Sequence, residues 1–281
     1  MNFYCFQIKN TMLDVVWSEL EALGIIVHCS IEDPEQNKCE LYGEVPTHIS
    51  EIAFASLKNI LSIKKLSESQ IDWPEQWASH SQFYSDGFVH LDLSAWCPAL
   101  ATNPKWSTIR LEPGPGFGDL SHSTTRLVLQ LMQAKMHQKV VVDIGCGSGV
   151  LSLAAVAMGA SAVYGIDIDA QALSHAQRNS VHNAMETYTS FKLPEEFSAI
   201  LERMIPNNLR MVVLMNMIHS EQRIAWESVT QIYPYVTDCL ISGILEEERA
   251  PYLEWCKKWD WQLKEEIQEE GWLAFHFSMG Q

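Results

Sequence analysis

The stretch VVVDIGCGSG, residues 140–149, limits the fold more than any other part of the chain. Val140, Val141 and Val142 are β-branched and apolar without alternation, as in a strand buried on both faces of a parallel sheet. Gly145, Gly147 and Gly149 follow at once, and VLSLAAVAMGA then reads as a helix closed by Gly159. Strand, glycine turn and helix in that order open a doubly wound α/β domain, whose ligands bind at the carboxyl ends of the strands. AVYGIDID reads as a second buried strand and MVVLMN and CLISGIL as two more. STTRLVLQLMQAKM, AQALSHAQRNSVHN and EQRIAWESVTQIY carry helical apolar stripes, and WQLKEEIQEEGWLAFHF reads as a terminal strand pair about Glu270-Gly271.

The turn also narrows the ligand. A dinucleotide fingerprint needs a glycine at position 150, which is Val150, and no G-x-x-x-x-G-K-S/T run is present. Asp143, just before the turn, can meet an ammonium group. Asp167, at the end of the second strand, can hydrogen-bond both hydroxyls of a ribose, while Asp169 is placed to cap the next helix. A ribose, an ammonium and no phosphate describe S-adenosylmethionine. The competing reading is a βα turn that binds nothing. Asn216 ends MVVLMN at the same sheet edge; it either contacts a ligand there or merely caps the strand end. It is followed by Met-Ile-His rather than the Pro-Pro-Tyr of planar-amide methyltransferases.

LEPGPGFGDLSHSTT, residues 111–125, is punctuated by Gly and Pro throughout, so it forms neither strand nor helix interior until the threonines. The first 69 residues read β-α-β-β-α-β. Their strands are FYCFQIK, IIVHCSI, KCELYGEV and SIKKLSES, and their helices are TMLDVVWSELEALG, capped by Thr11, and Ser50 to Leu61. This is the order of a small α+β ferredoxin-like domain. Residues 70–110 are irregular and Trp-rich, a linker that packs onto something because exposed Trp is costly.

Composition excludes some classes. A formal net charge of −16 repels a phosphate backbone, so no direct nucleic-acid binding is expected; it either favours a basic partner or only keeps the protein soluble. Seven cysteines without a C-x-x-C fit reduced thiols rather than a zinc site or a disulfide framework, and no metal is expected. MNFYCFQIKN has neither the charge nor the apolar run of a signal peptide, and no membrane span is read, so a cytoplasmic location is expected.

In order along the chain, LEPGPGFGDLSHSTT, VVDIGCGSG, GIDIDAQAL, MNMI, ISGILEEE and EEGWLAF resemble the PrmA-type methyltransferases of large-subunit ribosomal protein L11. DWPEQW resembles the D-W-x-x-x-W of that family's linker. The resemblance covers residues 70–281. It implies a Rossmann-like class I methyltransferase domain over residues 111–281, preceded by a ferredoxin-like substrate-recognition domain over 1–69 and a linker over 70–110. It implies S-adenosylmethionine as cofactor, a basic ribosomal protein as substrate, and a monomer. It implies that Phe117, Gly118, Ser121 and His122 border the methyl donor, with Asp143, Gly145, Gly147, Gly149 and Asp167 around it, and that Thr124 or Thr125 caps the helix that follows. Asn216 and His122 are the candidate catalytic residues. The family's T-G-T-H is here Asp119-Leu120-Ser121-His122, which adds a charge and replaces a flexible glycine. That departure motivates two alternatives: a lysine methyltransferase for another basic protein, or a non-catalytic S-adenosylmethionine-binding homologue with a decayed loop.

Overall fold

The computed structural model describes residues 2–33, 37–46, 49–55, 57–66, 77–78, 81, 83–96, 106–118, 120–197, 200 and 210–279. The chain forms two compact units, Met1–Gln76 and Trp77–Gln281.

The first unit runs β1 (Asn2–Ile8), α1 (Leu13–Ala22), β2 (Ile26–Asp33), β3 (Lys38–Val45), α2 (Glu51–Ala55) and β4 (Ile60–Leu66). The strands form an antiparallel sheet in the order β2-β3-β1-β4. Alternation along the strands sends Tyr4, Phe6, Ile8, Cys39 and Leu41 to one face, where they pack with Val16 and Leu20 of α1 and Phe54 of α2. Phe54 meets the rings of Tyr4 and Phe6 edge-on at 5.2 and 5.5 Å. Two local expectations fail here. Thr11 lies inside a single 3-10 turn, Asn10–Met12, ahead of α1 rather than capping it. The helix expected over Ser50 to Leu61 is short: the Leu57 N–H donates to the Phe54 carbonyl, and Ile60 and Ile63 pack against the core from β4 instead. Most of the turn DPEQN lies outside the described residues.

The second unit opens with β5 (Tyr84–Ser85), β6 (Phe88–Asp92) and β7 (Thr108–Leu111), an antiparallel sheet where the sequence reads as irregular. The signal was a short alternation: Val89, Leu91, Ile109 and Leu111 are fully buried, while Asp92, Thr108 and Arg110 point to solvent. Trp77, Trp96 and Trp106 pack against the same core. The rest of DWPEQW and residues 97–105 lie outside the described residues.

Then follow α3 (Ser123–Met132), β8 (Val140–Ile144), α4 (Val150–Ala157), β9 (Ala162–Ile166), α5 (Ala170–His182) and β10 (Thr189–Lys192). After them come β11 (Met211–Asn216), α6 (His219–Ser228), β12 (Val236–Leu245), α7 (Arg249–Cys256), β13 (Trp261–Glu269) and β14 (Trp272–Met279). The large sheet has the order β10-β9-β8-β11-β12-β14-β13. Its pairs are parallel from β10 to β12, and β14 runs antiparallel to both β12 and β13. Glu270 and Gly271, at φ 52° and 81°, make the tight turn between the last two strands. Val141, Val212 and Leu214 face the layer of α3 and α4, and Val142, Val213 and Met215 face that of α6 and α7. Successive side chains of one strand therefore serve opposite cores, which is why these strands read as unbroken apolar runs. The chain leaves β8 toward β9 and later returns to β11 on its other side. That reversal opens a crevice at the carboxyl ends of β8 and β11.

Among the described residues no helix is long and apolar enough to cross a membrane. Among the described residues, Cys5, Cys39, Cys146, Cys239 and Cys256 are buried thiols outside any disulfide.

Candidate functional site

The turn after β8 is stitched to its neighbour. The Gly145 and Cys146 N–H groups both donate to the Ile166 carbonyl, at 2.7 and 3.1 Å, which folds the turn across the end of β9. Gly145, Gly147 and Gly149 all adopt left-handed φ, 72°, 52° and 81°. Asp167 is fixed by two backbone donors: Gly147 N–H to Oδ2 and Asp169 N–H to Oδ1, both at 3.0 Å. Asp169 caps α5 by accepting the Gln171 N–H at 2.8 Å, as its place before the helix predicted.

The glycines do more for the protein than for a ligand. A Cβ on Gly147 would lie 2.4 Å from the Phe117 carbonyl oxygen, and one on Gly116 would lie 2.5 Å from Gly147 C and Ser148 N. These two positions let the loop 112–118 rest on the turn. A Cβ on Gly149 would approach Ala176 Cβ on α5 to 3.0 Å, whereas one on Gly145 would meet the flexible tip of Met217.

The loop is bonded where it touches. Ser148 N–H donates to the Phe117 carbonyl at 2.8 Å, and Ser148 Oγ donates to the Gly118 carbonyl at 2.6 Å. At its far end His122, not Thr124 or Thr125, caps α3: its Nδ1 accepts the Thr124 N–H at 3.3 Å and lies 2.8 Å from Thr124 Oγ1. Both threonines are buried in the first turn. The rings of Phe117, His122 and Trp272 form a row, with centroids 5.5 and 5.4 Å apart, and Phe117 is 57% exposed. Asn216 reaches the same helix start, its Nδ2 3.5 Å from Thr125 Oγ1. Gly118, at φ 112°, bends the loop beside the turn, and Ser121 is exposed. Asp119 lies outside the described residues.

Asp143 is 1% exposed. Its Oδ2 accepts from Ser152 Oγ at 2.6 Å, and its Oδ1 has no partner. Burial, reinforced by the Asp167 charge, pushes its carboxyl up to about 7 from 3.8. An unpaired buried carboxylate oxygen beside a glycine turn calls for a cationic donor. A consequence is testable without any ligand. The native state holds the Asp143 proton more tightly than the unfolded chain, so this contribution is full below about pH 4 and is lost as pH rises toward 7. The stability of the apo protein, followed by thermal melts, should fall over that range, by on the order of 4 kcal/mol at full shift, and Asp143→Asn should remove that part of the slope.

Arg126 and Gln222 are among the residues holding this site that the sequence reading missed. Arg126 donates through Nη1 to the Leu120 and Ser121 carbonyls, at 2.9 and 2.7 Å, and through Nε and Nη2 to Glu269, at 2.9 and 2.7 Å. Ser123 Oγ adds a bond to Glu270 at 2.8 Å. Arg126 is the one charged residue of α3, and that isolation was its signal. Arg126→Met should destabilise the protein by about 2–3 kcal/mol, since two loop carbonyls and Glu269 lose a charged donor; a thermal melt checks it. Gln222 is fully buried: Nε2 donates to the Met217 and Ser242 carbonyls, at 2.6 and 2.8 Å, and Oε1 accepts from Tyr252 Oη at 2.7 Å. It fixes the backbone just past Asn216. A polar residue four before Trp226, on a buried stripe, was the legible cue.

A family model described as ribosomal protein L11 methyltransferase (PrmA) matches residues 35–279. A ribosomal protein L11 methyltransferase of Legionella pneumophila (strain Paris) is 36% identical over 274 residues, covering 88% of this chain and 90% of that protein. One of Psychrobacter sp. (strain PRwf-1) is 31% identical over 201 residues, covering 65% of this chain and 55% of that protein. The crystal structure of a ribosomal protein L11 methylase from Lactobacillus delbrueckii subsp. bulgaricus shares the fold, with a TM-score of 0.50 and 22% identity over 62% of this chain and 86% of that one.

Proposed function

The chain belongs to the ribosomal protein L11 methyltransferase family, and from that premise we propose that it transfers methyl groups from S-adenosylmethionine to amino groups of ribosomal protein L11. The observation that carries the reading is the pair of carboxylates flanking the glycine turn at the ends of adjacent strands. Asp167 is preset by two backbone donors, and Asp143 keeps one buried oxygen unpaired. Asp167 holds the ribose hydroxyls of the donor, and Asp143 meets its ammonium. The backbone of Gly145 and Gly147, with Phe117 and Gly118 of the loop, borders the rest.

When bound, the donor supplies an electrophilic methyl group on a sulfonium centre. The chain's own task is alignment of an incoming amine. Asn216 presents its side-chain carbonyl oxygen to that amine, because its Nδ2 is turned to Thr125. His122 is a positional residue: its Nδ1 is committed to the helix cap, and its ring stands between Phe117 and Trp272. A substrate lysine must arrive or become neutral, and an apolar wall lowers its pKa by disfavouring the ammonium. The net charge of −16 suits a basic protein substrate. Leu120, which stands where the family loop has a glycine, is 3% exposed within the main core, so it anchors the loop. That favours an active site over a decayed one.

The test is incubation of the purified protein with labelled S-adenosylmethionine and purified L11. Label on L11 is expected. Label on another basic ribosomal protein with none on L11 would reassign the substrate, and calorimetric binding of the donor with no transfer at all would leave only a binding protein.

A further inference from the structure

Helix α5 contacts both the loop 112–118 and the glycine turn. Asn179 bridges the two, accepting the Glu112 N–H at 2.8 Å and donating to the Ser148 carbonyl at 2.9 Å. His175 reaches further along the loop. It is fully buried, its Nδ1 accepts the Gly116 N–H at 3.1 Å, and its Nε2 lies 2.7 Å from the Glu112 carbonyl. Those partners fix the tautomer, since Nδ1 must be bare to accept and Nε2 must carry hydrogen to donate to a carbonyl. A Cβ on Gly114 would come within 2.6 Å of the imidazole Cδ2, so the loop backbone lies directly against the ring. Trp77 closes the other side, edge-on at 5.8 Å, and donates its Nε1–H to the Gly114 carbonyl at 3.1 Å. Gly116, the residue bonded to Nδ1, is the one that touches Gly147 and Ser148, and Phe117 is next to it.

We propose that His175 is a positioning residue for the methyl donor: as the neutral imidazole it pins loop 112–118 over the glycine turn, and a proton on Nδ1 releases the loop. The proposal rests on the cofactor reading above. A proton at Nδ1 would face the Gly116 N–H with another donor, so the bond is replaced by repulsion. Among the described residues the charged groups facing the ring are Glu112, whose carboxylate is bonded to Arg178 and to His182, and Arg178 itself. Burial holds the imidazole below its ordinary 6.5, aided by Arg178 and opposed by Glu112. The group is therefore neutral at pH 7, and its contribution is lost as pH falls below about 6.5 through the lowered folded value.

Calorimetry with S-adenosylmethionine against pH, on wild type, His175→Asn and His175→Phe, tests this. The asparagine amide oxygen replaces Nδ1 as acceptor without titrating; phenylalanine fills the site and accepts nothing. His175→Phe should raise Kd for the donor about tenfold, with KM for the donor rising more than KM for L11, and His175→Asn should recover most of the loss. Wild type should weaken in an acid arm lying below His175's ordinary 6.5, and neither variant should show that arm, although both keep the transition that Asp143 places near pH 7. His175→Phe with wild-type affinity and a wild-type acid arm would overturn the inference while leaving the cofactor reading intact. Wild type that takes up no donor at any pH overturns both.

Discussion

Asp167→Asn is expected to weaken S-adenosylmethionine binding about a hundredfold, while the apo protein melts close to wild type. Asp167 uses one oxygen for the Gly147 N–H and the other for the Asp169 N–H. An asparagine has only one oxygen, so one of these donors faces an NH2 whichever way the amide is turned. The same substitution places a donor where a ribose hydroxyl would donate. The backbone mismatch is the same with and without ligand, so it bears on stability and not on Kd; at the ribose two hydroxyls lose a charged acceptor, at about 1.5 kcal/mol each, roughly a hundredfold in Kd. Stability hardly changes for a separate reason. Burial holds the Asp167 carboxyl above its ordinary value, so the ionised group is a native-state cost that the neutral amide relieves. Isothermal titration and a thermal melt on the same sample separate the two effects. Unchanged affinity would remove Asp167 from the donor site.

Gly243→Ala should be the most disruptive single-methyl change in the second unit. The added Cβ would sit 2.2 Å from the Met217 carbonyl oxygen and 2.6 Å from its carbon, at a φ of 89°. Neither side can yield, because Gly243 lies in a sheet strand and the Met217 carbonyl is already held by Gln222 at 2.6 Å. Left-handed strain and overpacking together cost about 3–5 kcal/mol, roughly a 10 °C fall in Tm for a unit of about 200 residues. Methyl transfer should fall further than stability does, because Met217 follows Asn216 directly. Gly271→Ala is the control: its φ is 81°, and a Cβ there meets nothing within 4 Å. It should cost about 1 kcal/mol from backbone strain alone. Equal losses at both glycines would mean that the Met217 contact is not what Gly243 is for.

These two glycines show how far the sequence could be read. The unbroken valines of β8, the glycine turn and the acids at 143, 167 and 169 announced the parallel sheet and its binding edge, because each signal is local. S-G-I-L was legible only as a resemblance. The reason for its glycine is a contact between β12 and the residue after β11, 26 positions away in the chain, which no periodicity encodes. The same applies to His122. A histidine two residues before Thr124 has no strong capping preference, yet the loop delivers its Nδ1 to the Thr124 N–H. β6 and β7 were missed for a different reason: five and four residues give too few alternations to stand out in a stretch rich in Trp and Pro. α7 carries Pro251 in its first turn, a helix-start signal that was passed over. His175 and Gln222 looked like ordinary helix residues, and only the packed loop and strand end give them their partners.

The most direct measurement is the intact mass of ribosomal protein L11 from cells lacking this chain, compared with L11 from the parent strain and from the deletion complemented with wild type. L11 from the deletion should be lighter by whole methyl increments, with the mass restored by wild type and not by Asp167→Asn. L11 of identical mass in all of them would contradict the account.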